Sequence, residues 1–171
     1  MRQRSPSRRS TTDKNVCMLR WSIRAGRPSD VSRLSEIHWR ASLTNEGDSD
    51  ALLAAGRDVI VPEALGREED ARVATTDDGT IVGFATMLLV DGVYEFKDLF
   101  ADLEWMRRGD ATALVDDAVE CARRSGVRRT EVTGNQHALA FYESAGFARD
   151  GEVVTQFGTT AVRMHLEVAE R

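Results

Sequence analysis

Lys97-Asp98-Leu99-Phe100-Ala101, a short loop, and then Met106-Arg107-Arg108-Gly109-Asp110-Ala111-Thr112-Ala113-Leu114 form the stretch on which the fold turns. A strand runs through a basic, glycine-containing turn into the start of a helix. The first N–H groups of a helix have no partner within it, and the aligned peptide dipoles favour an anion, so a pyrophosphate fits at such a turn. Arg107 and Arg108 add charge-assisted donors. Gly109 lets the backbone approach phosphates closely, and the small side chain of Ala111 leaves room for them. Downstream, Leu114, Val115, Ala118, Val119 and Ala122 recur at helical spacing, which predicts a helix over Gly109–Ser125 that stops at Gly126.

On the N-terminal side of this unit, three strands are predicted: Ala71–Thr76, Ile81–Val90 and Val93–Ala101. Asp77-Asp78-Gly79-Thr80 and Asp91-Gly92 supply the tight turns between them. Further upstream, Trp21–Ala25 reads as a strand, and Pro28, Ser29 and Asp30 open a helix to about Ser42. Leu43 to Asp70 is irregular, with a short helix predicted at Asp50–Ala55, and is the expected place for acceptor recognition. On the C-terminal side come a strand at Arg128–Thr133, a short helix at Ala138–Ser144, and a hairpin of Glu152–Phe157 with Ala161–Val168 around Gly158-Thr159. The order predicts a mixed α/β domain: a largely antiparallel, twisted sheet of six or seven strands flanked by about four helices.

With 42% hydrophobic and 30% charged side chains, the 171 residues suit one domain with a sizeable core, expected over residues 18–171. Residues 1–17 are rich in Arg, Ser and Thr and are expected as a disordered or extended tail. The first 20 residues hide the charge of the rest: there Arg2, Arg4, Arg8, Arg9, Lys14 and Arg20 face Asp13 alone, yet the net charge of the whole is −5. An acidic body argues against nucleic acid as a partner and is compatible with a cationic amine. No apolar run of about 18 residues exists, so no membrane span is expected and the chain reads as cytoplasmic. Cys17 and Cys121 are too far apart in context to suggest a disulfide or a metal site, and Cys121 reads as a buried thiol.

The second informative stretch is Asn135-Gln136-His137-Ala138-Leu139-Ala140-Phe141-Tyr142-Glu143-Ser144-Ala145-Gly146-Phe147, a strand exit, a short helix and a glycine stop. It resembles the downstream motif of the GNAT superfamily of N-acetyltransferases, Asn-x-x-Ala-x-x-Phe-Tyr-x-x-x-Gly-Phe, at every one of these positions. Met106-x-x-Gly109-x-Ala111 resembles the acyl-CoA-binding motif of the same superfamily, usually Gln/Arg-x-x-Gly-x-Gly/Ala. It departs from that form at Met106, and Asp110 stands where an apolar residue is common. A carboxylate there would weaken phosphate binding unless it points away or caps the helix. With the order of elements, the resemblance covers roughly Trp21 to Val168.

The resemblance implies a GNAT-like fold and transfer of the acetyl group of acetyl-CoA to a primary amine by direct attack, with no metal. Acetyl-CoA would lie in a cleft between the strand ending at Ala101 and the next one, where such proteins splay two parallel strands. By the same resemblance, the backbone at Phe100 and Ala101 would hold the pantetheine, Arg107, Arg108, Gly109, Ala111 and Thr112 the phosphates, and Asn135 the pantetheine arm. The hydroxyl of Tyr142 would hand a proton to the departing thiolate. Phe141 and Phe147 read as packing residues. A small-molecule or peptide amine is the implied acceptor, and homodimers are common in the superfamily.

An amine arriving as an ammonium must lose a proton. Glu95 and Asp98 lie on the strand leading to the cleft, and strand alternation predicts that they face opposite ways; Glu95 is the preferred base. His38 on the first helix reads rather as a packing or surface residue, and His137 has no stronger case. Two other readings compete with this one. A catalytically impaired GNAT-fold module that binds CoA or acts as a sensor is kept open by Met106 and Asp110. A nucleotide-binding enzyme is disfavoured, because neither a G-x-G-x-x-G after an early strand nor a G-x-x-x-x-G-K-[ST] occurs.

Overall fold

The computed structural model describes residues 21–46, 65, 70–155 and 158–169. The expected tail over residues 1–17 and the short helix at Asp50–Ala55 lie outside them. Seven strands form one sheet: β1 Ser22–Ala25, β2 Ala71–Thr75, β3 Ile81–Val90, β4 Val93–Ala101, β5 Arg129–Asn135, β6 Ala148–Val154 and β7 Thr160–Glu167. Their order across the sheet is β1-β2-β3-β4-β5-β7-β6. Every pairing is antiparallel except that of β4 with β5. The described helices are α1 Val31–Glu46, α2 Asp110–Arg124 and α3 Leu139–Ser144, with a 3-10 turn at Pro28–Asp30. None of them is long and apolar enough to cross a membrane.

The two faces of the sheet are covered differently. Leu34 and Ile37 of α1 pack on Val73, Ile81 and Phe84. On the other face Leu114, Val115, Ala118 and Ala122 of α2 meet Ala74, Ala85 and Met87, and this larger cluster runs on through Tyr94, Phe96 and Val132 to Tyr142 and Phe147. The helical spacing read in the sequence is thus the buried stripe of α2.

Local chemistry sets the element ends. Asp91 and Gly92 both have positive φ, 51° and 82°, and join Val90 to its partner Val93, the two-residue hairpin geometry that suits the twist of the strands. Asp30 is buried, accepts the Arg27 N–H at 2.9 Å and pairs with Arg24 at 2.7 Å, tying β1 to the start of α1. That hydrogen bond from Arg24 is the main influence holding its pKa below the usual carboxylate value. Gly126 has φ 71°, and Val127 N–H reaches back to Ala122 O at 2.9 Å, the helix-ending bond expected after a left-handed glycine.

Three differences from the sequence reading have identifiable causes. Helix α1 runs on to Glu46, past Ser42, because nothing between carries a helix-stopping side chain. Strand β6 starts at Ala148 rather than Glu152. Asp150-Gly151, which resembles a turn, is a β-bulge: Arg149 faces Met164 and Gly151 faces Arg163, so Asp150 is the extra residue. The third is in β4, where Asp98 faces Thr86 and Phe96 faces Met87, leaving Lys97 unmatched. This bulge shifts side-chain alternation by one. Tyr94, Phe96 and Leu99 therefore join the α2-side cluster while Phe100 joins the α1-side one. Glu95 and Asp98 consequently share the α1 side of the sheet, correcting the expectation that they face opposite ways.

Candidate active site

Only Tyr94–Phe96 of β4 pair with Thr130–Val132 of β5. Beyond them the strands part: Leu99–Ala101 stay with Ala85–Gly83 of β3, whereas Thr133–Asn135 stay with Arg163–Ala161 of β7. The opening is a cleft of about 590 Å³ lined by residues of β4, the β4–α2 loop, the start of α2, the end of β5 and α3, with Ala41 and Thr44 of α1 at its side. Asp102 N–H bonds Val82 O at 2.7 Å, so by strand alternation the backbone of Phe100 is also turned to β3 and that of Leu99 and Ala101 to the opening, which corrects the expectation that Phe100 backbone faces the cleft: of the expected pair only Ala101 does. Polar backbone facing a gap of this kind must be satisfied by water or a ligand.

The β4–α2 loop is held by a buried carboxylate. Asp102, 3% exposed, binds Arg33 of α1 and accepts the Glu104 N–H at 3.0 Å, while Arg33 also donates to Ile81 O at 3.2 and 3.3 Å. One guanidinium so joins α1, the edge of β3 and the start of the loop. Arg107 and Gly109 take left-handed φ values of 63° and 95°, and α2 begins with Ala113 N–H bonded to Gly109 O at 3.0 Å. The N–H groups before Ala113 lie in the first turn, where the helix itself offers them no acceptor.

Most residues predicted for the site converge here. Phe100, Ala101, Arg107, Gly109, Ala111, Thr112, Asn135 and Tyr142 line the cleft, as do Met106, His137 and Phe141. Arg108 and Glu95 do not. The Arg108 guanidinium lies 4.8 Å from the Trp105 ring centre, a cation–π arrangement, and Glu95 binds Lys97 at 2.8 Å. Asp98 accepts a hydrogen bond from the Thr86 hydroxyl and lies 3.8 Å from His38 Nε2, whose ring packs edge-on against Phe100 with centres 4.5 Å apart.

Asp110 lines the cleft without offering its charge to it. The side chain is 1% exposed, and its Oδ2, which has no hydrogen-bond partner, lies 3.0 Å from where a Cβ on Gly83 would be, so the carboxyl is folded under the helix against β3. Burial raises its pKa, its own N–H and that of Ala111 oppose the rise, and Asp102 reinforces it. The condition set by the sequence, that this carboxyl must turn away, is met in the geometry.

At the other wall, Asn135 Oδ1 accepts the Ala138 N–H at 3.0 Å, which shapes the entry to α3 and leaves the amide N–H groups of that side chain as donors. Helix α3 ends like α2: Gly146 has φ 94°, and Phe147 N–H bonds Tyr142 O at 3.0 Å. The side chains of this pair also meet, with ring centres 5.6 Å apart. Tyr142 is 6% exposed, and burial pushes its hydroxyl above the usual phenol pKa, which favours the protonated form. Among the described residues, no group of His, Cys, Asp and Glu is arranged to hold a metal ion.

A seven-stranded sheet opened between one parallel pair, with a basic helix start on one lip and a buried tyrosine on the other, matches a known family. Residues 44–168 match the acetyltransferase (GNAT) domain. The chain belongs to the GNAT acetyltransferases. It is similar to the uncharacterized protein YxbD of Bacillus subtilis (strain 168), 31% identical over 86 residues that span 48% of this chain and 53%, about half, of that relative. Among solved structures, it resembles a PaiA N-acetyltransferase of Thermoplasma acidophilum in complex with coenzyme A, with a TM-score of 0.73 at 15% identity over 87% of this chain and 99% of that one. It also resembles the apo form of YjaB from Escherichia coli, with a TM-score of 0.65 at 25% identity over 90% and 100% of the two chains. At such identities the first structural likeness speaks for the GNAT fold; the family match speaks for the family.

The sequence reading did not single out the residues that hold the GNAT cleft in shape. Asp102 and Arg33 gave no signal, because a carboxylate after a strand and an arginine on a helix are common surface patterns. Trp21 and Trp105 likewise carry no local pattern that would pair them. The cleft lining by Phe141, taken as packing, was visible only in its motif position.

Proposed function

We propose that this chain transfers the acetyl group of acetyl-CoA to a primary amine by direct attack. The observation that carries the reading is the parting of β4 from β5 beyond Phe96, which aims Ala101 backbone, the α2 start and Tyr142 into one cleft. The fit is chemical as well as spatial: Gly109 and Ala111 leave the helix start open, Arg107 supplies a cation, and Asp110 keeps its carboxyl underneath. Leu99 and Ala101 would bond the pantetheine arm, and the Ala101 N–H would polarise the thioester carbonyl. Asn135 would donate to the arm from the opposite lip. Bound there, acetyl-CoA supplies an activated acyl group on a thiol leaving group.

In the reaction the amine nitrogen bonds the acyl carbon, the carbon–sulfur bond breaks, and the thiolate takes a proton from the Tyr142 hydroxyl. The proton lost by the amine leaves through water toward the α1 side of β4, where Glu95 and Asp98 share a face; Glu95 is the carboxylate we assign to receive it. An acidic body favours a cationic acceptor, a small amine or a peptide amine, approaching past Ala41 and Thr44.

The test is calorimetric titration with acetyl-CoA, paired with an assay of thiol release against a panel of amines. Micromolar binding with amine-dependent thiol release supports the reading. Binding without release for any amine would make the chain a CoA-binding module that has lost catalysis, and no binding would end the proposal.

A further inference from the structure

The 108–109 peptide is clamped from outside the cleft. The indole Nε1–H of Trp21, the residue just before β1, donates to Arg108 O at 3.1 Å. Trp21 in turn packs edge-on against Trp105, ring centres 5.9 Å apart, and the Arg108 guanidinium covers that same Trp105 ring at 4.8 Å. The contacts close a ring: the backbone of Arg108 is bound by one tryptophan, its side chain by the other, and the two tryptophans by each other. Neither Trp21 nor Arg108 lines the cleft, whereas Arg107 and Gly109 on either side do.

The direction of that carbonyl matters because a trans peptide is planar, with its C=O and N–H pointing opposite ways. A carbonyl of Arg108 held toward Trp21 turns the Gly109 N–H away from that tryptophan, and Gly109 itself lines the cleft. Gly109 has φ 95° and no Cβ, so rotation of this peptide plane meets little resistance from the backbone itself. A flipped plane would aim a carbonyl oxygen at bound phosphates and remove a donor. The hydrogen bond from Trp21 opposes that flip.

We propose that Trp21 is the positioning residue of the coenzyme A pyrophosphate loop, setting the Gly109 N–H toward the phosphates through the Arg108 carbonyl. The inference rests on the acetyl-CoA reading above and adds to it a residue 87 positions away from Arg108 in sequence that does not line the cleft.

The test is Trp21→Phe in the full chain, which keeps an aromatic ring against Trp105 and removes the donor. Steady-state kinetics are compared for acetyl-CoA and for acetyl-pantetheine, the same thioester without pyrophosphate and adenosine. Loss of one such hydrogen bond is worth about fivefold in an equilibrium constant. The expected result is a KM for acetyl-CoA raised about fivefold, with kcat and the KM for acetyl-pantetheine unchanged. An equal rise for both thioesters would make Trp21 a packing residue, and no change for either would also overturn the proposal. Should the variant not fold, the unsubstituted protein answers the same question by NMR. Phosphate bound at the Gly109 N–H polarises the Arg108 carbonyl and strengthens its bond to the indole. The Trp21 Nε1–H resonance then moves on titration with CoA and stays put with pantetheine; a resonance indifferent to both overturns the assignment. Failure of the unsubstituted chain to bind CoA at all would overturn the functional reading itself, a result distinct from normal binding that Trp21→Phe leaves untouched.

Discussion

Tyr142 lies against the bare backbone of Gly134: a Cβ on that glycine would stand 3.0 Å from both Cδ2 and Cε2 of the tyrosine ring. The ring is held from its other sides by Phe141 and Phe147, with centres 5.3 and 5.6 Å away, so it has little room to yield. Gly134→Ala should therefore overpack this wall, lowering stability by about 1–3 kcal/mol. Turnover should fall with it, because the hydroxyl moves within the cleft. Denaturant unfolding and acetyl transfer rates measure the two effects; a variant with unaltered stability would show that the wall is soft.

Tyr142→Phe keeps the packing and removes only the proton donor. The expected outcome is a fall in kcat of about a hundredfold with little change in the KM for acetyl-CoA. A matching rise in KM would mean that the hydroxyl binds the cofactor rather than serving the leaving thiolate.

Asp110→Asn probes the carboxyl folded under α2. Burial raises the folded-state pKa above the unfolded value of 3.8, so the neutral form is the one favoured by folding. The wild-type protein then loses stability as pH rises from that value through the folded pKa, and carries a constant penalty above it. The amide, which cannot ionise, should melt at a higher temperature than wild type at neutral pH, and the difference should shrink as pH falls toward 4. Thermal melts across this range check the sign; a gain that persists in acid would have another source.

Glu95→Gln tests the route of the amine proton. Because Glu95 binds Lys97 and does not line the cleft, a role through water predicts a loss in kcat/KM of about tenfold, well short of what removal of a directly acting base costs. The loss should be greatest at low pH, where free amine is scarce. A pH profile identical to wild type would remove Glu95 from the mechanism and turn attention to Asp98 beside it.

Much of the architecture is legible in the sequence because it is written in local signals. Asp91-Gly92 specifies a tight hairpin, Gly126 and Gly146 stop helices, and Leu114, Val115, Ala118 and Ala122 declare the buried stripe of α2. The site is legible for a different reason: its residues sit in two short runs, 106–112 and 135–147, that resemble a family's motifs. What escaped is long-range or one residue in size. Trp21 meets Arg108 across 87 positions, and no periodicity records such a contact. Asp150-Gly151 has turn chemistry yet makes a bulge, since pairing with β7 decides its conformation. The bulge at Lys97 has no residue signature at all, and an error of one position there reverses the side assigned to everything beyond it.

That unmatched lysine gives the strand a property that substitution scans would overlook. What position 97 contributes is length: almost any side chain could occupy it, exposed as it is, and the chain would still count one extra step between Phe96 and Asp98. Deleting it would set Phe96 and Asp98 next to one another opposite Met87 and Thr86, a regular ladder that leaves Asp98 on the α1 side and Leu99 on the α2 side and removes only the lysine and its pairing with Glu95. Lys97 is thus a surplus step in the ladder: a chain lacking it would keep the side of every residue that lines the cleft and lose only the local bend that the bulge puts into the strand.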